Sequence, residues 1–178
     1  MKRTLVSFTA RGAFAAALCG LVAPAYAAKS IKVTMNLITV DGVGKSVGTI
    51  TIKEGKDGVT IEPKLKDLPP GEHGFHVHEK GDCSSGDGMS AGGHFNPDAK
   101  PHGAPNKPHH DGDLWALKAD ANGAAKATFT VEGVTVSAGT HSVVGRGLIV
   151  HKDPDDYTTQ PTGNSGARIA CAVIAAGN

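Results

Sequence analysis

His76 and His78 stand two apart in Gly74-Phe75-His76-Val77-His78-Glu79. On a strand, where side chains alternate between faces, that spacing projects both imidazoles from one face without distorting the backbone. His-x-His alone is a weak motif, met more often as ordinary surface histidines than at a metal. His94, His102 and His110 then follow at steps of eight, with Asp113 three residues beyond the last. Three imidazoles and a carboxylate make a closed tetrahedral zinc set with no position left for water or substrate, and such a set pins a loop. Imidazole-rich donors without thiolate suit zinc and copper(II) rather than iron–sulfur or copper(I) storage chemistry. To hold copper, His76 and His78 need partners from elsewhere, and His151, closing the apolar run Leu148-Ile149-Val150, is the best placed.

These donors must be carried by strands and the loops between them. Ile31, Val33, Met35 and Leu37 alternate with Lys32, Thr34 and Asn36, the period of two expected of a half-buried strand. Turn residues then punctuate further strands at Val47–Lys53, Val59–Leu65, Phe75–Glu79, Leu114–Lys118, Ala125–Val131, Ser142–Val150 and Arg168–Ile174. About eight short strands and no helical stripe after residue 27 predict an all-β sandwich or flattened barrel. Two segments interrupt this rhythm, Lys80–Gly112 and His151–Ala167, both rich in Gly, Pro, Asp and small polar residues. Loops of that length in a small domain are functional or disordered. The first has no apolar core of its own, so bound metal is the expected fastener.

The chain opens with Met1-Lys2-Arg3, runs apolar from Ala13 to Val22 and reaches Ala25-Tyr26-Ala27, the pattern of a secretory signal peptide cut after Ala27. The apolar stretch is shorter than a bilayer-spanning helix requires. Cleavage would remove Cys19 and leave one domain, residues 28–178, with 15 basic against 17 acidic residues, so a nucleic-acid surface is not indicated. Two cysteines remain, Cys83 and Cys171, with no Cys-x-x-Cys pair. For an exported chain a disulfide is the default reading, two buried thiols the alternative.

The stretches GFHVHEKGDC, GGHFNP, HHDGDL, GRGLIVHKDPDD and GNSGARIACAVI resemble the copper/zinc superoxide dismutases in order and spacing over roughly Ile31 to Ala175. The resemblance implies an eight-stranded Greek-key sandwich or flattened barrel with two long functional loops. It implies one copper held by His76, His78, His94 and His151, and one zinc held by His94, His102, His110 and Asp113. His94 would bridge the two and take up and return a proton while copper cycles between Cu(II) and Cu(I). Superoxide would be the substrate, oxygen and hydrogen peroxide the products, and Arg168 the active-site cation. Asp155 would accept ring N–H groups from His76 and His102, and Cys83 would pair with Cys171. Cys83 follows His78 closely, as in the bacterial exported branch of the family, which points to the periplasm. Monomer and homodimer both remain open.

Several features stand outside that pattern. No Lys, Arg or Glu lies between Asp156 and Arg168, where many members of the family place charges that steer the substrate. His73 is expected to pack or hydrogen-bond locally, and His141 falls at a non-ligand position. His109 could replace His110 by a one-residue slip, but only His110 keeps the step of three to Asp113. Trp115 is core or interface. A metal buffer or copper-delivery module is the rival reading, weakened by the lack of Cys-x-x-Cys and of clustered Met.

Overall fold

The structure is a computed structural model and describes residues 29–176. The leader and the cut after Ala27 lie outside the described residues. Ten strands make up the fold: β1 Ser30–Thr39, β2 Gly42–Glu54, β3 Gly58–Leu65, β4 Gly71–His73, β5 Phe75–His78, β6 Leu117–Ala119, β7 Ala125–Lys126, β8 Phe129–Glu132, β9 Gly147–His151 and β10 Arg168–Val173. Among the described residues the only helical element is one 3₁₀ turn at Met89–Ala91. The protein is all-β.

All strand pairs are antiparallel. Eight strands form one curled sheet in the order β5, β9, β10, β1, β2, β3, β7, with β8 also on β3. The chain leaves β3 near one edge and returns as β5 at the other, the long crossover of a Greek key. β4 runs into β5 through Gly74 and pairs with β6, so a two-stranded ribbon links the two sides of the flattened barrel.

Alternation decides the inside. On β1, Ile31, Val33 and Met35 are buried while Lys32 and Thr34 are exposed. Val47, Ile50 and Ile52 from β2 and Val59, Ile61 and Leu65 from β3 meet them in one core with Phe75, Val77, Leu148 and Val150.

Three predicted strands change outline. Ala125–Val131 is two strands in one register on β3, and the gap falls opposite Pro63, which has no N–H to donate to a ladder. Ser142–Val150 shrinks to β9, because Gly145 at φ 82° turns the chain just before it. Leu114–Lys118 starts only at Leu117, since Asp113 is drawn into a bridge with His76.

Candidate metal centre

β5 and β9 are buried along their whole length. Period-two alternation sends Phe75 and Val77, with Leu148 and Val150, into the barrel core. His76, His78 and His151 therefore point out of the barrel, into a space the two long loops cover. The register pairs Phe75 with Val150 and His76 with Ile149, and the His151 N–H donates to Gly74 O at 2.8 Å. One consequence is that Nε2 of His78 lies 3.3 Å from Nε2 of His151.

β5 is an edge strand, and the first long loop occupies its free edge. Val77 N–H donates to Gly112 O (2.9 Å), Phe95 N–H donates to Val77 O (2.8 Å), and Gly112 N–H donates to Phe95 O (2.9 Å). Gly112 is required here, because an added Cβ would collide with Val77 O and Phe95 N. This three-way clamp sets His94 opposite His78 and Asp113 opposite His76.

Asp113 is the centre of the loop-borne group. Its carboxylate lies 2.8 Å from His94 Nδ1, 3.0 Å from His102 Nδ1 and 3.4 Å from His110 Nδ1. It also accepts the main-chain N–H groups of Gly103 (3.1 Å) and His110 (2.9 Å). Asp155, from the second long loop, accepts from His76 Nε2 at 2.7 Å and from His102 Nε2 at 3.0 Å. Gly163 closes over this contact at φ 68°, where a Cβ would strike Asp155 Oδ1 and His102 Nε2. Gln160 grips the same histidine by its main chain, accepting from His102 N and donating to His102 O.

The outer hydrogen bonds determine which ring nitrogen is left over. His76 gives its Nε2–H to Asp155, His78 its Nδ1–H to Gly92 O, His151 its Nδ1–H to Gly166 O and His94 its Nδ1–H to Asp113. Lone pairs on His76 Nδ1 and on Nε2 of His78, His94 and His151 are thereby turned toward one another. His76 Nδ1, His94 Nε2, His102 Nδ1 and His110 Nδ1 are buried without a hydrogen-bond partner. His102 Nδ1 stands 3.0 Å from Asp113 and makes no hydrogen bond there. Stranding one buried polar atom costs about 1–3 kcal/mol, so four together call for something outside the protein's own hydrogen bonding. A cation among them fits. Two four-residue groups bring one donor atom each to within 4.8 Å of the others: His76, His78, His94 and His151, and His94, His102, His110 and Asp113. His94 belongs to both.

Electrostatics separates the groups. Burial pushes His78 well below the usual histidine range and lowers His94 to about 4 and His151 to about 3. These rings are neutral and can act as ligands. Burial also acts to lower His102, but the carboxylates of Asp113 and Asp155 on its two nitrogens overcome it and raise the ring to about 9. Burial acts to raise Asp113 and Asp155, yet the imidazoles around them hold both carboxyls far below their ordinary value. In the second group a metal would replace the proton that the two carboxylates otherwise keep on His102.

Access differs as well. A cleft of about 520 Å³ is lined by His78, His94, His151, Met89, Gly92 and Arg168, among others, and, apart from the shared His94, by no donor of the Asp113 group. Arg168, half-buried at the start of β10, donates to Gly88 O (2.7 Å) and Gly92 O (2.6 Å). The disulfide between Cys83 and Cys171 ties the same loop to β10.

The remaining histidines lie outside both groups. His73 is buried, with Nδ1 on His151 O (2.8 Å) and Nε2 on Pro69 O (2.7 Å). His109 meets Lys107 O and His141 meets Asp111. Trp115 is 45% exposed and packs edge-on against Tyr157 at 5.5 Å. Asp111, Gly112, Gln160 and Gly163 escaped the sequence reading. Gly112 in Asp-Gly-Asp could have been marked as a close approach, whereas Gln160 carries no local signal, since its partner is 58 residues away.

Comparison with known proteins bears on most of the chain. The sequence model of the copper/zinc superoxide dismutase family matches residues 46–174. A superoxide dismutase [Cu-Zn] of Escherichia coli (strain K12) is 42% identical over 169 residues, covering 89% of this chain and 96% of that protein. Among solved structures, a SOD-like protein from Bacillus subtilis is 39% identical with a TM-score of 0.74, covering 80% of this chain and 97% of its own. The Cu/Zn superoxide dismutase from Brucella abortus is 35% identical with a TM-score of 0.70, over 82% of this chain and 99% of its own.

Proposed function

We propose that in this chain, which belongs to the copper/zinc superoxide dismutase family and converts superoxide into oxygen and hydrogen peroxide, the two donor groups divide the metals. His76, His78, His94 and His151 hold one copper, and His94, His102, His110 and Asp113 hold one zinc. The observation that carries this assignment is the set of buried, partnerless ring nitrogens distributed over two groups that share His94. Imidazole without carboxylate favours copper at the first group, and a closed set of three imidazoles and a carboxylate favours zinc at the second. Bound copper supplies the one-electron redox couple, Cu(II) to Cu(I) and back, and zinc supplies a fixed positive charge.

The protein's own residues do the rest. The cleft is lined by His78, His94 and His151 and by none of His102, His110 and Asp113, so substrate in it meets the first group. Arg168 keeps its charge at any working pH. With two of its N–H donors committed to Gly88 O and Gly92 O, its guanidinium is held in one orientation to receive an anion in the cleft. His94 lines the cleft, and with Nδ1 of its ring held at Asp113 its free nitrogen is the buried Nε2. That ring can take up a proton at Nε2 and deliver it to the reduced product without swinging away. Asp155 locks His76 and His102 to each other, so both groups keep one geometry through the cycle.

The leader pattern and the disulfide support export to the periplasm. No helix among the described residues is long and apolar enough to cross a membrane.

Metal content and superoxide decay, read together, test the assignment. His78→Ala is expected to lose copper and keep zinc, His102→Ala to lose zinc and keep copper, and the wild-type protein with one of each to approach the diffusional ceiling of about 10⁸–10⁹ M⁻¹s⁻¹. Loss of zinc from His78→Ala with copper retained would overturn the division of donors.

A further inference from the structure

Asp111 lies between His110 and Asp113 and joins neither donor group. It is 7% exposed, and its carboxylate turns away from the centre. His141 Nδ1 donates to Asp111 Oδ2 at 2.6 Å, and Lys100 Nζ lies 3.4 Å from Oδ1. Lys100 is bound in turn to Asp98 at 2.8 Å, and Asp98 Oδ1 is 3.8 Å from His141 Nε2. Two carboxylates, one ammonium and one imidazole thus alternate in a ring. They come from the stretch between His94 and His102, from the turn closing on Asp113, and from the segment between β8 and β9. That last segment gives no donor to either group.

The three side chains Asp98, Asp111 and His141 are close enough to be taken for a third metal group. Lys100 argues against it, because its ammonium already pairs with both carboxylates. The ring has a mechanical meaning instead. Asp113 N–H donates to His110 O at 3.0 Å, so residues 110–113 form a tight turn with Asp111 at its second position. The shape of that turn sets the 3.4 Å approach of His110 Nδ1 to Asp113 Oδ1. His141 is itself held through its main chain, its carbonyl accepting from Thr135 N–H.

We propose that Asp111 and His141 are positioning residues for zinc: they clamp the His110–Asp113 turn from outside and so slow zinc release, without touching copper. The inference rests on the zinc assignment above. Its test is the rate at which a chromogenic chelator takes zinc from the copper- and zinc-loaded full protein, with copper retention followed on the same sample by its visible absorption. His141→Ala is expected to speed zinc release about 10-fold, the low end of the loss when a direct hydrogen-bond partner of a metal ligand is removed, because His141 acts one contact further out, and to leave copper in place. In His141→Asn the side-chain amide N–H stands where Nδ1–H stood, and most of the wild-type rate should return. Unchanged zinc release in His141→Ala, no recovery in His141→Asn, or copper leaving with the zinc would each overturn the inference while zinc stays with its four donors. A wild-type protein that binds no zinc would overturn the assignment and the inference together.

Discussion

Two halves of one centre are built on different supports. His76, His78 and His151 stand on β5 and β9, strands whose other face is packed into the barrel core, so their positions follow from sheet register. His94, His102, His110 and Asp113 stand on a loop with little apolar burial of its own, and polar contacts bring them together: the Val77–Gly112–Phe95 clamp, the Asp155 bridge and the Gln160 grip on His102. The strand-borne half is rigid and open to a cleft, while the loop-borne half is assembled and closed. An open coordination side is safe only on a support that does not collapse into it, and a closed set can afford a mobile support because the ion completes it.

The largest effect should come from cutting the covalent tie between the supports. Cys83 and Cys171 are 88 residues apart, and the chain-entropy account assigns about 4 to 5 kcal/mol to closing a loop of that length. Cys171→Ser should lower the denaturant midpoint accordingly. Hydrogen exchange should then rise first in residues 80–112, with β5 and β9 amides still protected. Equal exchange in loop and strands would dissolve the distinction between the two supports.

Acid should come next, acting on the strand-borne half of the metal-free protein. Burial lowers His78, His94 and His151, the last two to about 4 and about 3. The unfolded chain binds these protons near pH 6.5 while the folded chain refuses them. Their contribution is therefore complete above about pH 6.5 and is lost as pH falls toward 4, by about 1.4 kcal/mol per pH unit for each unmatched proton. His102, raised to about 9, works the other way, losing its contribution as pH rises from about 6.5 through 9. Urea titrations of the metal-free protein should show stability falling on the acid side of neutrality. A flat profile between pH 7 and 5 would mean that the strand-borne rings are solvated rather than buried.

Arg168 sits where the supports meet, and its removal sharpens the contrast in function. Arg168→Ala should keep one copper and one zinc and slow superoxide decay about 10-fold or more, as expected when an anion-focusing charge is lost. If metal content falls instead, the bonds to Gly88 and Gly92 are the residue's main service and the loop leans on it.

What could be read without coordinates follows the same division. The alternation in Ile31–Leu37 announced β1 and its buried face, and His-x-His announced a shared face on β5, because period two is local information. The short β4 was missed, since three residues, Gly71–His73, form a strand only by pairing with β6. The break opposite Pro63 needs knowledge of which strand lies beside which. The Asp98–Lys100–Asp111–His141 ring joins residues up to 43 positions apart, with no motif to mark them. Spacing singled out the loop-borne donors; what braces them became visible only in three dimensions.

The double burial of β5 and β9 bears on how such a centre could be transplanted. An ordinary barrel strand has a wet side on which residues can be exchanged freely, and a histidine pair grafted there would keep its rings hydrated and unaligned. In this protein the two strands have no wet side. The smallest portable piece is therefore three layers thick, an apolar row, a histidine row and a roof of loop, and copying only the middle layer into another scaffold would reproduce the motif but not the site.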